Sequence, residues 1–159
     1  MKKIFYVLII PLISSFLVFS QEETKETFGL KIDESIKVDG LLDEPVWEKA
    51  PEIGDFIQFE PERGKPASLR TIAKILYDEK FIYFGFICYD PQPEKIAAQM
   101  TKRDANIPND DAVGVFLDTF HDRRNCYFFM TNLLGTQRDG RITENGRTSE
   151  TTWDGIWKS

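Results

Sequence analysis

The sequence predicts an all-β protein, a jelly-roll-like antiparallel β-sandwich with one short helix, and three observations carry the prediction. Two pairs of apolar segments rich in β-branched and aromatic residues are each joined by a short charged turn, DEK at 78–80 and HDRR at 121–124. Turn residues recur between short segments along the chain, and Gly135, Gly140 and Gly146 punctuate its last third. A helix signal stands only at residues 43–50. Seven or eight short strands with so little helix are the pattern of two packed sheets.

The elements follow in order. Lys2 and Lys3 precede an apolar run from Ile4 to Phe19 that is broken by Pro11, Ser14 and Ser15. That is the pattern of a secretory signal peptide over residues 1–20, too short and interrupted for a spanning helix, with Gln21 as the expected mature start. Residues 21–35 form a polar lead-in to the first strand, expected at Ile36 and Val38, where apolar residues alternate with Lys37 and Asp39. Gly40 permits a turn, and Asp43 can accept a backbone N–H of the turn that follows. Pro45 stands where a helix start tolerates proline, and Pro51 disfavours helical geometry at Ala50, so one or two turns are expected. Trp47 reads as a lid over the core, because Val46 and Ala50 give the helix an apolar underside.

Residues 69–78 and 81–90 form the first expected hairpin. Its second arm is apolar on both faces and is therefore expected at the centre of a doubly covered sheet. Asp90, Pro91 and Pro93 end that arm, a further strand is expected at 96–101, and residues 102–110 read as a polar loop. Residues 112–120 and 125–133 form the second hairpin. Residues 136–152 read as a long loop or a short exposed hairpin, and strand character resumes at 153–157. Trp153, Ile156 and Trp157 open an apolar segment just before Ser159, so the sandwich is expected to continue past that residue with further strands.

Composition narrows the partners. Removal of residues 1–20 leaves 139 residues, one domain of 36–159 behind its lead-in, and the loss of two lysines takes the formal charge from −6 to −8. An acidic surface repels nucleic acid phosphates and anionic lipid, and no cluster of Lys or Arg compensates. Neutral polymers and small ligands fit better. The chain's 13 phenylalanines supply much of the core volume. Cys88 and Cys126 are an even pair in an exported chain, which allows a disulfide, but each lies inside an apolar strand pattern that suits a buried free thiol.

Three pieces in this order, VDGLLDEPVW, FIYFGFICYDP and DDAVGVFLDT with its hairpin, resemble the family 9 carbohydrate-binding module over residues 36–159. More narrowly, RDANIPNDDAVGVFLDTFHDRRNCYFF, NLLGTQRDG and WDGIW are similar to the version of this module that begins large bacterial outer-membrane β-barrel proteins. The resemblance implies a β-sandwich that binds poly- or oligosaccharide between tryptophans, with polar side chains on the hydroxyls and often a structural calcium. It also implies a periplasmic or outer-membrane-associated place, or secretion, and the chain's own C-terminal barrel as a partner. The family continues with further strands beyond the point matched by Ser159.

Sugar binding needs an aromatic face for the C–H side of the ring and planar polar groups that bridge neighbouring hydroxyls. Arg103, Asp104, Asn106, Asn109, Asp110 and Asp111 offer the polar groups within nine residues, with Arg103 and Asp111 foremost, and Trp153 offers the face. The competing reading is a loop capped by its own carboxylates. Asp118, Asp122 and Asn125, or Asn109, Asp110 and Asp111, could hold calcium, but neither set has EF-hand spacing and turn stabilisation explains them as well. Catalysis finds little support. His121 is the sole histidine and sits in a charged turn, no GxSxG or HExxH is present, and 26 acidic residues make a glycosidase-like carboxylate pair uninformative. Haem ligation by His121 with Met100 or Met130 conflicts with the alternation of Met130 among core residues.

Overall fold

The computed structural model describes residues 25–107 and 110–159, so the expected signal peptide and Asn109 lie outside the described residues. The fold is all-β and sandwich-like, with one three-stranded and one four-stranded sheet. In the first, β1 (Leu30–Lys31) runs parallel to β2 (Thr71–Tyr77), which pairs antiparallel with β3 (Ile82–Cys88) in the order β1-β2-β3. In the second, β4 (Ala112–Leu117), β5 (Cys126–Asn132), β6 (Gln137–Thr143) and β7 (Thr148–Glu150) form an antiparallel meander. Helix α1 (Val46–Lys49) is one turn long, and a single 3-10 turn spans Pro93–Lys95.

Both expected hairpins are present. Asp78 closes the first by accepting the backbone N–H groups of Lys80 and Phe81, and Asp118 and Asp122 close the second in the same way through residues 122–125. Such short acceptors beside the chain are what make Asp a turn residue.

The best-packed core lies between α1 and the first sheet. Ile32, Val46, Trp47, Ala50 and Leu76 are buried together, with Leu30, Ile36, Leu42 and Tyr83 against them. Trp47 is 5 % exposed. Its ring lies on Gly85 of β3, where an added Cβ would stand 2.9 Å from Trp47 Cζ3 and collide with Leu42. Lys74 enters this face from the central strand; its ammonium donates to the Trp47 carbonyl at 2.9 Å and lies 3.5 Å from Glu52. The charge thus meets the last carbonyls of α1, a favourable end for a cation.

Several expectations are corrected. Residues 36–38 form no strand, because the Glu44 carboxylate takes the Lys37 N–H at 2.9 Å; the strand lies earlier, at β1. Asp43 does not cap α1, whose N-cap position is Pro45 with no side-chain cap, and Glu44 instead accepts the Trp47 indole N–H at 3.1 Å. Among the described residues β3 is an edge strand and β2 the central one; aromatic content on both faces of β3 imitates a central strand, yet only Gly85 is buried. Residues 96–101 form no strand, since Asp110 and Asp111 take the N–H groups of Ala97, Gln99 and Met100. Residues 136–152 hold the hairpin of β6 and β7, with Asp139 and Gly140 of β6 buried rather than exposed. Residues 153–157 join no ladder. Cys88 and Cys126 are free thiols on different sheets, and Cys88 is exposed where a buried thiol was expected.

Candidate functional site

Register sorts the second sheet into two faces. Phe116, Phe128 and Gly140 are matched across one face, and Tyr127, Phe129, Gln137, Asp139 and Arg141 lie on the other. The WDGIW segment crosses that second face. Trp153 packs on Tyr127 with ring centroids 4.6 Å apart and edge-on to Phe129 at 5.9 Å, and Trp157 meets Phe129 edge-on at 5.5 Å. Gly155 passes close over Phe129, where an added Cβ would lie 2.9 Å from the ring. Aromatic packing, not a strand ladder, therefore holds this segment down.

One polar centre pins the same segment. Asp139 is fully buried. Its Oδ2 accepts the Gly155 N–H at 2.6 Å, and its Oδ1 accepts from Arg103 Nη2 at 2.7 Å. Arg103 also donates to Gln137 Oε1 at 2.6 Å and stands 3.5 Å from Asp154 and 3.6 Å from Asp104. The Asp104 N–H donates to the Gln137 carbonyl at 2.9 Å, so the loop before β4 occupies the edge of β6. From that edge Arg103 reaches one face of the sheet, and Asn106 accepts from Arg138 at 2.7 Å.

Asp104, Asp139 and Asp154 each bring a carboxylate oxygen within 4.8 Å of the others. The Arg103 guanidinium already supplies positive charge to this trio. Arg103 is 40 % exposed and Asp154 72 %, while Asp104 Oδ1 is enclosed with no hydrogen-bond partner among the described residues. The rim of the centre can therefore meet a ligand while its base is closed.

The structure brings Arg103, Asp104 and Trp153 of the expected site together and sets Asp110 and Asp111 apart. Asp110 accepts from the Gln99 and Met100 N–H groups and from Asn132 Nδ2 at 2.8 Å, and Asp111 accepts from Ala97 N–H at 2.8 Å. Backbone donation from Met100, then the Asn132 amide, lowers the Asp110 carboxyl below its ordinary range. The side-chain amide of Asn125, then the Arg124 N–H, does the same for Asp122. These carboxylates organise loops. His121 lies exposed at the second hairpin turn with φ 52°.

Sequence reasoning missed Asp139, Asp154 and Gln137. An aspartate between Arg138 and Gly140 reads as turn chemistry, and only the register with Phe129 shows that it faces the WDGIW segment. Two tryptophans flanking Asp154 and Gly155 were the available signal. Compared with known proteins, the chain matches no family model, no curated protein and no solved structure.

Proposed function

We propose that this is a non-catalytic carbohydrate-binding module of an exported protein, taking a neutral poly- or oligosaccharide at the rim formed by Arg103, Asp104, Asp154 and Trp153. The observation that carries the reading is the juxtaposition of a guanidinium and two accessible carboxylates with an indole on one sheet face. Planar charged acceptors and donors can bridge vicinal hydroxyls, and an aromatic face can meet the C–H side of a pyranose. These groups select hydroxyl geometry rather than one monosaccharide.

Titration of the protein with cello-, xylo-, malto- and laminari-oligosaccharides, followed by tryptophan fluorescence, tests the proposal. Binding of one series, weakened at least tenfold in Asp154→Ala and Asp104→Asn, supports it. Both substitutions lie at the rim and keep the Arg103–Asp139 bond. Unchanged affinity in these variants and in a folded Trp153→Ala variant removes the site.

A second reading is a docking domain for the chain's own outer-membrane barrel. Its support is the exposure of large apolar side chains on several connecting segments, among them Phe28, Phe59, Phe120, Leu133 and Ile156. Among the described residues no helix is long and apolar enough to cross a membrane. The docking reading predicts stable co-purification of this domain with the barrel region and no saccharide binding by the joined protein.

A further inference from the structure

The longest strand edge without a neighbour among the described residues belongs to β3. Asp78 N–H donates to the Phe81 carbonyl at 3.0 Å and Tyr89 N–H to the Arg70 carbonyl at 2.9 Å, so the odd-numbered residues of 81–89 turn their backbone groups toward β2. Antiparallel alternation then turns the N–H and C=O groups of Ile82, Phe84, Phe86 and Cys88 to the open side. No backbone partner meets them there among the described residues. Open edges are usually blunted by a charge, a proline or a bulge. Ile82–Cys88 carries no charge and no proline, and its register with β2 is unbroken over seven residues.

This edge is self-complementary. Reversed about Gly85, the sequence sets Phe84 against Phe86, Tyr83 against Ile87, Ile82 against Cys88 and Phe81 against Tyr89, and at each end it sets Lys80 against Asp90. We infer that β3 pairs antiparallel with β3 of a second copy of this chain, with the two-fold axis at Gly85, joining two three-stranded sheets into one. Three separate features select this register. The outward-turned even residues fall opposite even residues, so each can exchange both hydrogen bonds. Apolar and aromatic side chains meet their like across the same face. Lys80 of each copy meets Asp90 of the other, whereas a slip of two residues either way sets Lys80 against Cys88 or Gln92 and breaks both charge pairs. Glycine at the axis leaves the closest approach free of side chains. The interface is on the first sheet, the saccharide rim on the second, and the inference does not depend on the saccharide reading.

Cross-linking tests the register directly. Ile82→Cys places a thiol opposite native Cys88 of the second copy, at about the 5.5 Å Cα separation of a hydrogen-bonded pair, which a disulfide spans. The two positions are roughly 20 Å apart within one strand, so no intrachain bond competes. Oxidation of Ile82→Cys is expected to give a reducible dimer that is absent in Ile82→Cys/Cys88→Ser and in Phe120→Cys, which carries its thiol on the other hairpin. Sedimentation is expected to show that Lys80→Asp or Asp90→Lys alone weakens the dimer by about tenfold and that the double exchange restores it. A protein that sediments as a monomer at every concentration, an Ile82→Cys variant that does not cross-link or links no better than Phe120→Cys, or a double exchange that fails to restore association, overturns the inference.

Discussion

Asp139 carries more of the account than any other residue. A carboxylate with no exposure survives in a β-sheet only if its charge and its lone pairs are met, and Arg103 and the Gly155 N–H meet them. Asp139→Asn keeps the shape but replaces one acceptor by a donor facing either a guanidinium or an N–H. The expected loss is about 2 kcal/mol, below that of a fully enclosed pair because Arg103 is partly solvated. Intrinsic fluorescence should shift to the red in the same variant, as Trp153 and Trp157 leave Tyr127 and Phe129. Asp110 makes a second prediction at this scale. Its folded pKa lies below the unfolded value, so the unfolded chain binds more protons, and the stabilisation present above the unfolded pKa is lost as pH falls through the folded one. Asp39, Glu44, Asp78 and Asp122 are shifted the same way. Denaturant midpoints should therefore drop as pH is lowered below about 4, the ordinary carboxylate range, and Asp110→Asn should flatten that drop while lowering the midpoint at neutral pH. Arg103, Asp104 and Trp153 were legible as residue types suited to one site. Asp139 was not, since burial of an aspartate comes from which face its strand turns inward, and the local sequence of β6 is too polar to declare a face.

At the scale of elements, α1 stands on a single contact more than on helix propensity, for one turn is below the length at which a helix sustains itself. Trp47→Ala removes the ring that seals β2 and β3 and should cost about 3 to 5 kcal/mol, measurable by urea unfolding. Gly85→Ala is expected to cost about 1 to 3 kcal/mol by forcing Trp47 and Leu42 to move. Both hairpins were readable because their turns and their alternation agree. Residues 96–101 and 153–157 misled for a shared reason: apolar residues there pack from irregular chain, whose backbone N–H groups go to Asp110, Asp111 and Asp139 rather than to a ladder. β3 misled because an aromatic-rich strand looks interior even where it forms an edge. The parallel pairing of β1 with β2 left no trace in a two-residue strand.

For the whole molecule, two sheets divide the labour. The first packs on α1 and offers the open edge of β3, while the second presents the WDGIW segment and its polar rim. Fold class was legible because it follows from the count and spacing of hairpins, and the rim was half legible because its residues come from chain segments about fifty residues apart. Arg103 occupies the centre of the acidic trio, and the other clustered carboxylates serve backbone N–H groups. The melting midpoint is accordingly expected to stay within about one degree when a chelator or millimolar calcium is added, and a rise of several degrees with calcium would place a metal in the fold. Saccharide binding at the rim beside Trp153 is the proposal on which the functional reading turns. The most direct measurement is a titration of isotope-labelled protein with the oligosaccharide panel, read by amide and indole N–H chemical shifts. Saturable shifts confined to Arg103, Asp104, residues 153–157 and the Trp153 indole are expected, with the buried Trp47 indole unmoved. Shifts that gather elsewhere, or none with any sugar in the panel, would contradict the proposal.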